Sequence, residues 1–172
     1  LRGSPVLRVL TYHRIAVPEA VPALHPRLVS ATPEAFARQL DILVRRYTVV
    51  SMHDTLAAAR RGRSLPRRAV LLTFDDAYRD FLATAWPLLR ERRLPAAMFV
   101  ATAHAGEPQR AFWWDRLHRA ISTTSRARLE DPMLGRLPLG TPGDRCATLA
   151  RLQAHVKSLH HDVAMERVDD WC

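Results

Sequence analysis

Short apolar runs that alternate with helical segments constrain the fold of this chain more than any other feature of its sequence. The runs, rich in residues that favour strands, lie at residues 6–12, 47–51, 69–74 and 96–102. Between them, helical patterns cover residues 34–46, 52–61 and 78–93. Strands that alternate with helices in this order form parallel βαβ units, and short apolar strands suit a sheet buried on both faces. The pattern therefore predicts an α/β fold with four parallel strands.

Two helix boundaries can be predicted from single residues. Thr32 precedes Pro33, and this pair predicts a helix start, because threonine is a good N-cap and proline is tolerated in the first turn. Gly62 follows the second helical segment. It is expected to end that helix, because glycine readily adopts the left-handed conformation.

The second part of the chain lacks the strand pattern. Residues 112–121 and 144–171 have helical periodicity. Residues 125–143 contain three prolines and are predicted to form a loop. The sequence therefore predicts only helices and loops after residue 112.

Two adjacent carboxylates, Asp75 and Asp76, follow the third apolar run. Carboxylates at the end of an apolar strand are costly unless a cation or hydrogen bonds hold them. Metal-assisted hydrolysis would use both, since one can ligate the metal while the other takes a proton from water. An ordinary helix N-terminus, where acidic side chains are also favourable, explains the two residues equally well.

Motifs around these carboxylates carry a resemblance to a known family. They are residues 10–15 (LTYHRI), 72–78 (LTFDDAY), 94–100 (LPAAMFV) and 112–117 (FWWDRL). In this order they resemble the polysaccharide deacetylase family, carbohydrate esterases that include chitooligosaccharide deacetylases. The last motif resembles bacterial members that carry a helical insertion after the fourth strand. The resemblance is good from residue 6 to residue 117.

The resemblance implies a fold and a domain organisation. The family fold is a distorted (β/α) barrel with its site at the C-terminal ends of the strands. Residues 1–111 are then expected to form the N-terminal portion of such a barrel, and residues 112–172 a helical insertion.

The resemblance also implies an activity and a set of site residues. The expected enzyme is a metal-dependent hydrolase that removes N-acetyl groups from a polysaccharide or oligosaccharide. Asp75 matches the catalytic base of the family, and Asp76 matches a ligand of its divalent metal, usually zinc. Tyr12 and His13 at the end of the first strand, and His104 after the fourth, are expected to line the pocket.

The sequence departs from the family pattern at two points. Ala77 stands where the family usually has glycine; this is expected to matter little, because a helix can start there with ordinary backbone angles. No later His-Ser/Thr-x-x-His segment occurs before Cys172, so the chain is expected to be an incomplete N-terminal fragment. The alternative is a non-catalytic carbohydrate-binding relative that lacks the metal histidines.

Charge and composition exclude little by themselves. The formal net charge is +9, carried by arginines and a single lysine, Lys157. Such a charge would suit nucleic acid, but no recognition motif accompanies it, so we predict no nucleic-acid partner. No apolar run approaches the roughly 20 residues of a membrane helix, and no signal peptide is visible; a soluble chain is expected. Compartment and oligomeric state do not follow from the sequence.

Overall fold

The computed structural model describes residues 6–106 and 110–172, which form two compact units. One unit comprises the chain up to Val21 together with Pro26–Ala105, and the other comprises Pro22–His25 together with Gly106–Cys172. The predicted domain limits, 1–111 and 112–172, differ from this division by a few residues, and residues 1–5 and 107–109 lie outside the described part. That the second unit is the insertion found in the family stays a prediction.

The first unit alternates strands and helices. Its elements are β1 (Arg8–Tyr12), β2 (Arg14–Ile15), β3 (Val29–Ala31), α1 (Pro33–Arg46), β4 (Thr48–Val49), α2 (Met52–Arg61), β5 (Ala69–Asp75), α3 (Trp86–Glu91) and β6 (Ala97–Phe99). A π-helical turn, Phe81–Ala85, leads directly into α3. Single 3-10 turns lie at Pro18–Ala20, Pro26–Leu28 and Thr102–His104.

A four-stranded parallel sheet organises this unit around β5. Strand β5 pairs with all five residues of β1, and its first two residues pair with β4. Its last three residues pair with β6. The α/β fold with four parallel strands, predicted from the alternation, is therefore confirmed.

One face of β5 packs against the helical layer. Side chains alternate between the two faces of a strand, and Val70, Leu72 and Phe74 share one face. They are fully buried in one cluster with residues of α1: Phe36, Leu40 and Leu43. The opposite face therefore carries Thr73 and Asp75.

The predicted helix boundaries are confirmed. Helix α1 begins after Thr32, whose Oγ1 accepts a hydrogen bond from the Ala35 amide at 3.2 Å, and Pro33 is its first residue. Helix α2 ends at Arg61, and Gly62 caps it with a φ of 61°, in the left-handed region.

The second unit differs from the prediction of helices and loops alone. Its elements are α4 (Trp113–Thr123), β7 (Arg128–Asp131), β8 (Gly135–Pro138), α5 (Pro142–Ser158) and α6 (His161–Trp171). Strands β7 and β8 form an antiparallel hairpin in the stretch predicted as loop. The loop prediction was wrong because it took the prolines as loop signals, whereas Pro138 ends a strand and Pro142 starts a helix. The stretch predicted to be helical over residues 144–171 contains two helices, α5 and α6.

A core of its own holds the second unit together. It contains the buried residues Leu117, Ile121, Leu137, Leu139, Leu152, Val156, Ala164 and Val168. The Arg145 guanidinium donates to four backbone carbonyls at 2.8–3.0 Å, those of Leu139, Ile121, Ser122 and Thr124. Because the last carbonyls of a helix have no partner within it, Arg145 satisfies the C-terminal end of α4.

Candidate active site

The register of two parallel strands brings His13 beside Asp75. Thr11 pairs with Thr73 and Tyr12 with Phe74, so the next position of each segment holds His13 and Asp75. Side chains two residues apart on a strand lie on the same face. The Oγ1 atoms of Thr73 and Thr11 are accordingly hydrogen bonded at 3.0 Å, and His13 Nε2 lies 3.9 Å from Asp75 Oδ2.

The His13–Asp75 pair is held by backbone contacts and is open to solvent. The amide of His13 donates to Ser30 Oγ at 2.9 Å, while Asp75 is the last residue of β5. Both side chains are 34% exposed. A small molecule can therefore reach both the imidazole and the carboxylate from solvent.

The two residues after Asp75 form a strained turn. Asp76 has φ 69 and Ala77 has φ 54, the left-handed region that residues with a side chain seldom enter. The expectation that Ala77 would take ordinary backbone angles is therefore wrong. The turn requires positive φ at the position where glycine is expected from the resemblance, because glycine has no Cβ to clash there.

The remaining predicted pocket residues lie in two different surroundings. Tyr12 is only 6% exposed; its ring stacks on Phe74, and its hydroxyl donates to Gln39 Oε1 at 2.9 Å. Burial raises the pKa of Tyr12 above its usual value. His104 ends the 3-10 turn that follows β6, past the same end of the sheet as Asp75. The pocket-lining roles of Tyr12 and His104 stay predictions.

The metal site predicted at Asp76 lacks a full ligand set within residues 6–106 and 110–172. No three histidine, cysteine or acidic side chains gather there in an arrangement that could hold a metal ion. Zinc sites in proteins usually have at least three protein ligands. A metal bound at Asp76 would therefore need donors beyond those that the described residues bring to it.

Two residues beside the pair were not singled out from the sequence. Arg14 is buried, with its guanidinium carbon 3.5 Å from the centre of the Tyr78 ring and its Nη1 3.6 Å from Asp80 Oδ2. The other oxygen, Asp80 Oδ1, accepts a hydrogen bond from the Ile15 amide at 3.0 Å. Burial raises the pKa of Asp80, although the Ile15 N–H and the charge of Arg14 act in the opposite direction. The available signal was their position, since Arg14 lies within the first motif and Asp80 lies two residues after the second.

Comparison with known proteins connects this site to a family. Residues 62–125, which include β5 and both carboxylates, match the family model of polysaccharide deacetylases. The chain is related to the polysaccharide deacetylases. Over 75 residues it is 36% identical to the poly-beta-1,6-N-acetyl-D-glucosamine N-deacetylase of Escherichia coli K12, a stretch that covers 43% of this chain and 11% of that enzyme.

Solved structures of related proteins share the fold. The Streptococcus pyogenes deacetylase PplD, solved in complex with acetate, has a TM-score of 0.51 and 26% identity, over 67% of this chain and 53% of that one. IcaB from Ammonifex degensii has a TM-score of 0.50 and 25% identity, over 90% of this chain and 71% of that one. The chain thus spans about half of PplD and a small part of the E. coli enzyme. Its fold is the (β/α) barrel type of these deacetylases, of which it contains four parallel strands.

The described helices include no candidate for a membrane span, since none combines the required length and hydropathy.

Proposed function

We propose that the protein is a hydrolase that removes N-acetyl groups from a polysaccharide or oligosaccharide. The observation that carries this proposal is the exposed Asp75–His13 pair at the C-terminal ends of β5 and β1. The match of residues 62–125 to the family model of polysaccharide deacetylases supports it, and so does the N-deacetylase activity for which the E. coli relative is named. The polymer named there, poly-β-1,6-N-acetyl-D-glucosamine, is the first substrate to test.

The proposed chemistry uses Asp75 as the general base. Its carboxylate takes a proton from water while the water oxygen attacks the acetyl carbonyl carbon. In this proposal the tetrahedral intermediate then breaks its C–N bond, and the amine nitrogen receives, by way of His13, the proton that Asp75 took from water. Acetate and a free amino sugar are the products. The proposed enzyme is therefore a hydrolase that acts on carbon–nitrogen bonds other than peptide bonds.

Metal dependence enters the proposal through Asp76. This residue is proposed as a ligand of a divalent metal, zinc by resemblance, that would polarise the acetyl carbonyl. The described residues do not complete a ligand set, so metal binding has to be measured. Zinc titration by calorimetry of the full-length protein and of its Asp76→Ala variant tests whether Asp76 is a metal ligand. Submicromolar binding that is lost in the variant is expected. Equal binding in both proteins would contradict the role of Asp76.

A second candidate function is a non-catalytic carbohydrate-binding relative. The absence of a three-ligand cluster from the described residues favours it. It predicts that the polymer binds without release of acetate, whereas the hydrolase releases acetate and leaves free amines.

Replacement of the base gives the sharpest test of the hydrolase. Because general bases contribute about 10²–10⁴-fold to a rate, Asp75→Asn in the full-length protein is expected to lower kcat by about that factor. Acetate release from the acetylated polymer is the measurement. The matched control is Asp162→Asn, an exposed carboxylate of the second unit, which should leave the rate unchanged. Full activity of Asp75→Asn would exclude Asp75 as the base.

A further inference from the structure

A buried contact joins the segment that carries His13 to the segment that carries Asp75. Arg14 follows His13 directly, and its guanidinium lies against the Tyr78 ring and near the Asp80 carboxylate. Arg14 and Tyr78 are 5% and 7% exposed. The contact is therefore buried, and it is built from residues one to five positions away from His13 or Asp75 in sequence.

The turn between Asp75 and Tyr78 needs such a contact. Its two residues, Asp76 and Ala77, both have positive φ, an unfavourable conformation for each of them. A strained turn persists only where the surrounding structure holds its ends. Strand β5 holds one end at Asp75. The other end is held by Tyr78 and by Asp80, which is bonded to the Ile15 amide of β2.

The contact constrains the orientation of the Arg14 guanidinium, as well as its distance from the Tyr78 ring and the Asp80 carboxylate. A guanidinium is planar, and it can stack on an aromatic ring with one face while its edge meets a carboxylate. Asp80 uses one oxygen for Arg14 and the other for the Ile15 amide. The β2 segment is thereby tied to the residues after the turn at three points.

We propose that Arg14, Tyr78 and Asp80 are positioning residues that set the separation between His13 and Asp75. They act through these two side chains and do not themselves touch the substrate. The catalytic part of this inference rests on the proposed hydrolase function, whereas the geometric part does not.

The test is Asp80→Asn in the full-length protein, because asparagine keeps the acceptor for the Ile15 amide and removes the charge opposite Arg14. The matched control is Asp41→Asn, which removes the carboxylate that Arg92 Nε contacts at 2.8 Å, away from β2 and the turn. Arg14→Lys is the second variant, since lysine keeps the charge but loses the planar group.

Two measurements are made on each variant. In metal-free protein, the nuclear Overhauser contact between the His13 ring and the Asp75 β-protons reports their separation without any reaction. With the acetylated polymer, kcat and KM are determined separately. Small misplacements of catalytic groups cost up to about 100-fold in rate. We therefore expect Asp80→Asn and Arg14→Lys to weaken the Overhauser contact and to lower kcat at least tenfold, with KM within about twofold of the parent. Asp41→Asn should change neither.

The outcomes are distinct. An unchanged Overhauser contact in Asp80→Asn and Arg14→Lys would overturn the proposal, and so would a loss of fold in these variants, since their role would then be structural. Weakened contacts in Asp80→Asn and Arg14→Lys, together with a parent protein that releases no acetate, would support the positioning role and refute the hydrolase. Equal losses in Asp41→Asn would also overturn the proposal, because any charge removal would then have the same effect.

Discussion

Ala77 adopts a backbone conformation that is unfavourable for a residue with a side chain. Its φ of 54 places it in the left-handed region, which costs a residue with a side chain about 1–2 kcal/mol. Asp76 has φ 69, but aspartate tolerates this region better than alanine does. The turn after β5 therefore stores strain next to the proposed base, a frequent feature of functional sites.

Ala77→Gly is expected to stabilise the protein. Glycine removes the strain at Ala77, and its greater freedom in the unfolded chain offsets part of the gain. The free energy of unfolding should rise by about 0.5–1 kcal/mol, measured by urea unfolding followed by circular dichroism. Ala59→Gly, at an exposed position inside α2, is the matched control and should lose about 1 kcal/mol. A loss in both variants would mean that the turn does not favour glycine.

At the scale of elements, Asp131 connects the β7–β8 hairpin to α6. Its Oδ1 accepts hydrogen bonds from the amides of Met133 and Leu134 at 2.9 and 2.8 Å. Its Oδ2 accepts from Trp171 Nε1 at 3.0 Å and from the Arg167 guanidinium. Burial raises the pKa of Asp131, but these donors together bring it below the usual value for a carboxyl.

Asp131→Asn is expected to destabilise the second unit and to flatten its dependence on pH. A carboxyl with a lowered pKa in the folded state stabilises fully above its unfolded pKa, and this stabilisation is lost as pH falls through the folded value. The parent should therefore lose stability below about pH 4, and Asp131→Asn should lose less. At pH 7 the variant should be about 2 kcal/mol less stable, measured by thermal unfolding between pH 2 and 7.

Asp170→Asn is the control for Asp131→Asn. Asp170 also pairs with Arg167, but its side chain is 60% exposed, and exposed ion pairs contribute little. A change of less than about 0.5 kcal/mol is expected. If the two variants lost equal stability, the burial of Asp131 would not explain the loss in Asp131→Asn.

At the scale of the whole molecule, β1 lies at an edge of the sheet, and the described residues leave its outer side unpaired. Among the described residues, β1 pairs only with β5, and Val9 is 51% exposed. A groove of about 480 Å³ lies between β1 and α1, lined in part by Tyr12, Gln39 and Tyr47. An open strand edge with apolar side chains favours pairing with another chain.

The 172-residue chain is therefore expected to self-associate in solution, and Val9→Lys should reduce this, because a charged edge strand resists pairing. Sedimentation velocity over a range of concentrations is the measurement. The matched control is Val44→Lys on α1, a valine that is 53% exposed and lies outside the sheet. Equal reductions by both variants would assign the association to general apolar exposure. A monomer at all concentrations would contradict the expectation.

Local patterns in the sequence were sufficient to predict much of the fold. The alternation of apolar runs and helical segments predicted the four parallel strands, and Thr32, Pro33 and Gly62 predicted two helix boundaries. These features depend on neighbours in the chain, so propensity and periodicity reveal them. The β7–β8 hairpin was missed because its turn depends on the side chain of Asp131, and prolines near it resembled loop signals.

The sequence by itself determined the candidate residues, whereas the tertiary structure decided their relations. The motifs pointed to His13 and Asp75 as separate residues, 62 positions apart. Only the register of β1 on β5 places them side by side, because strand pairing is set by the packing of a whole face. The positive φ at Ala77 and the Arg14–Asp80 contact also depend on that packing. A turn conformation and a buried ion pair are fixed by what surrounds them in space, which no local pattern in the sequence contains.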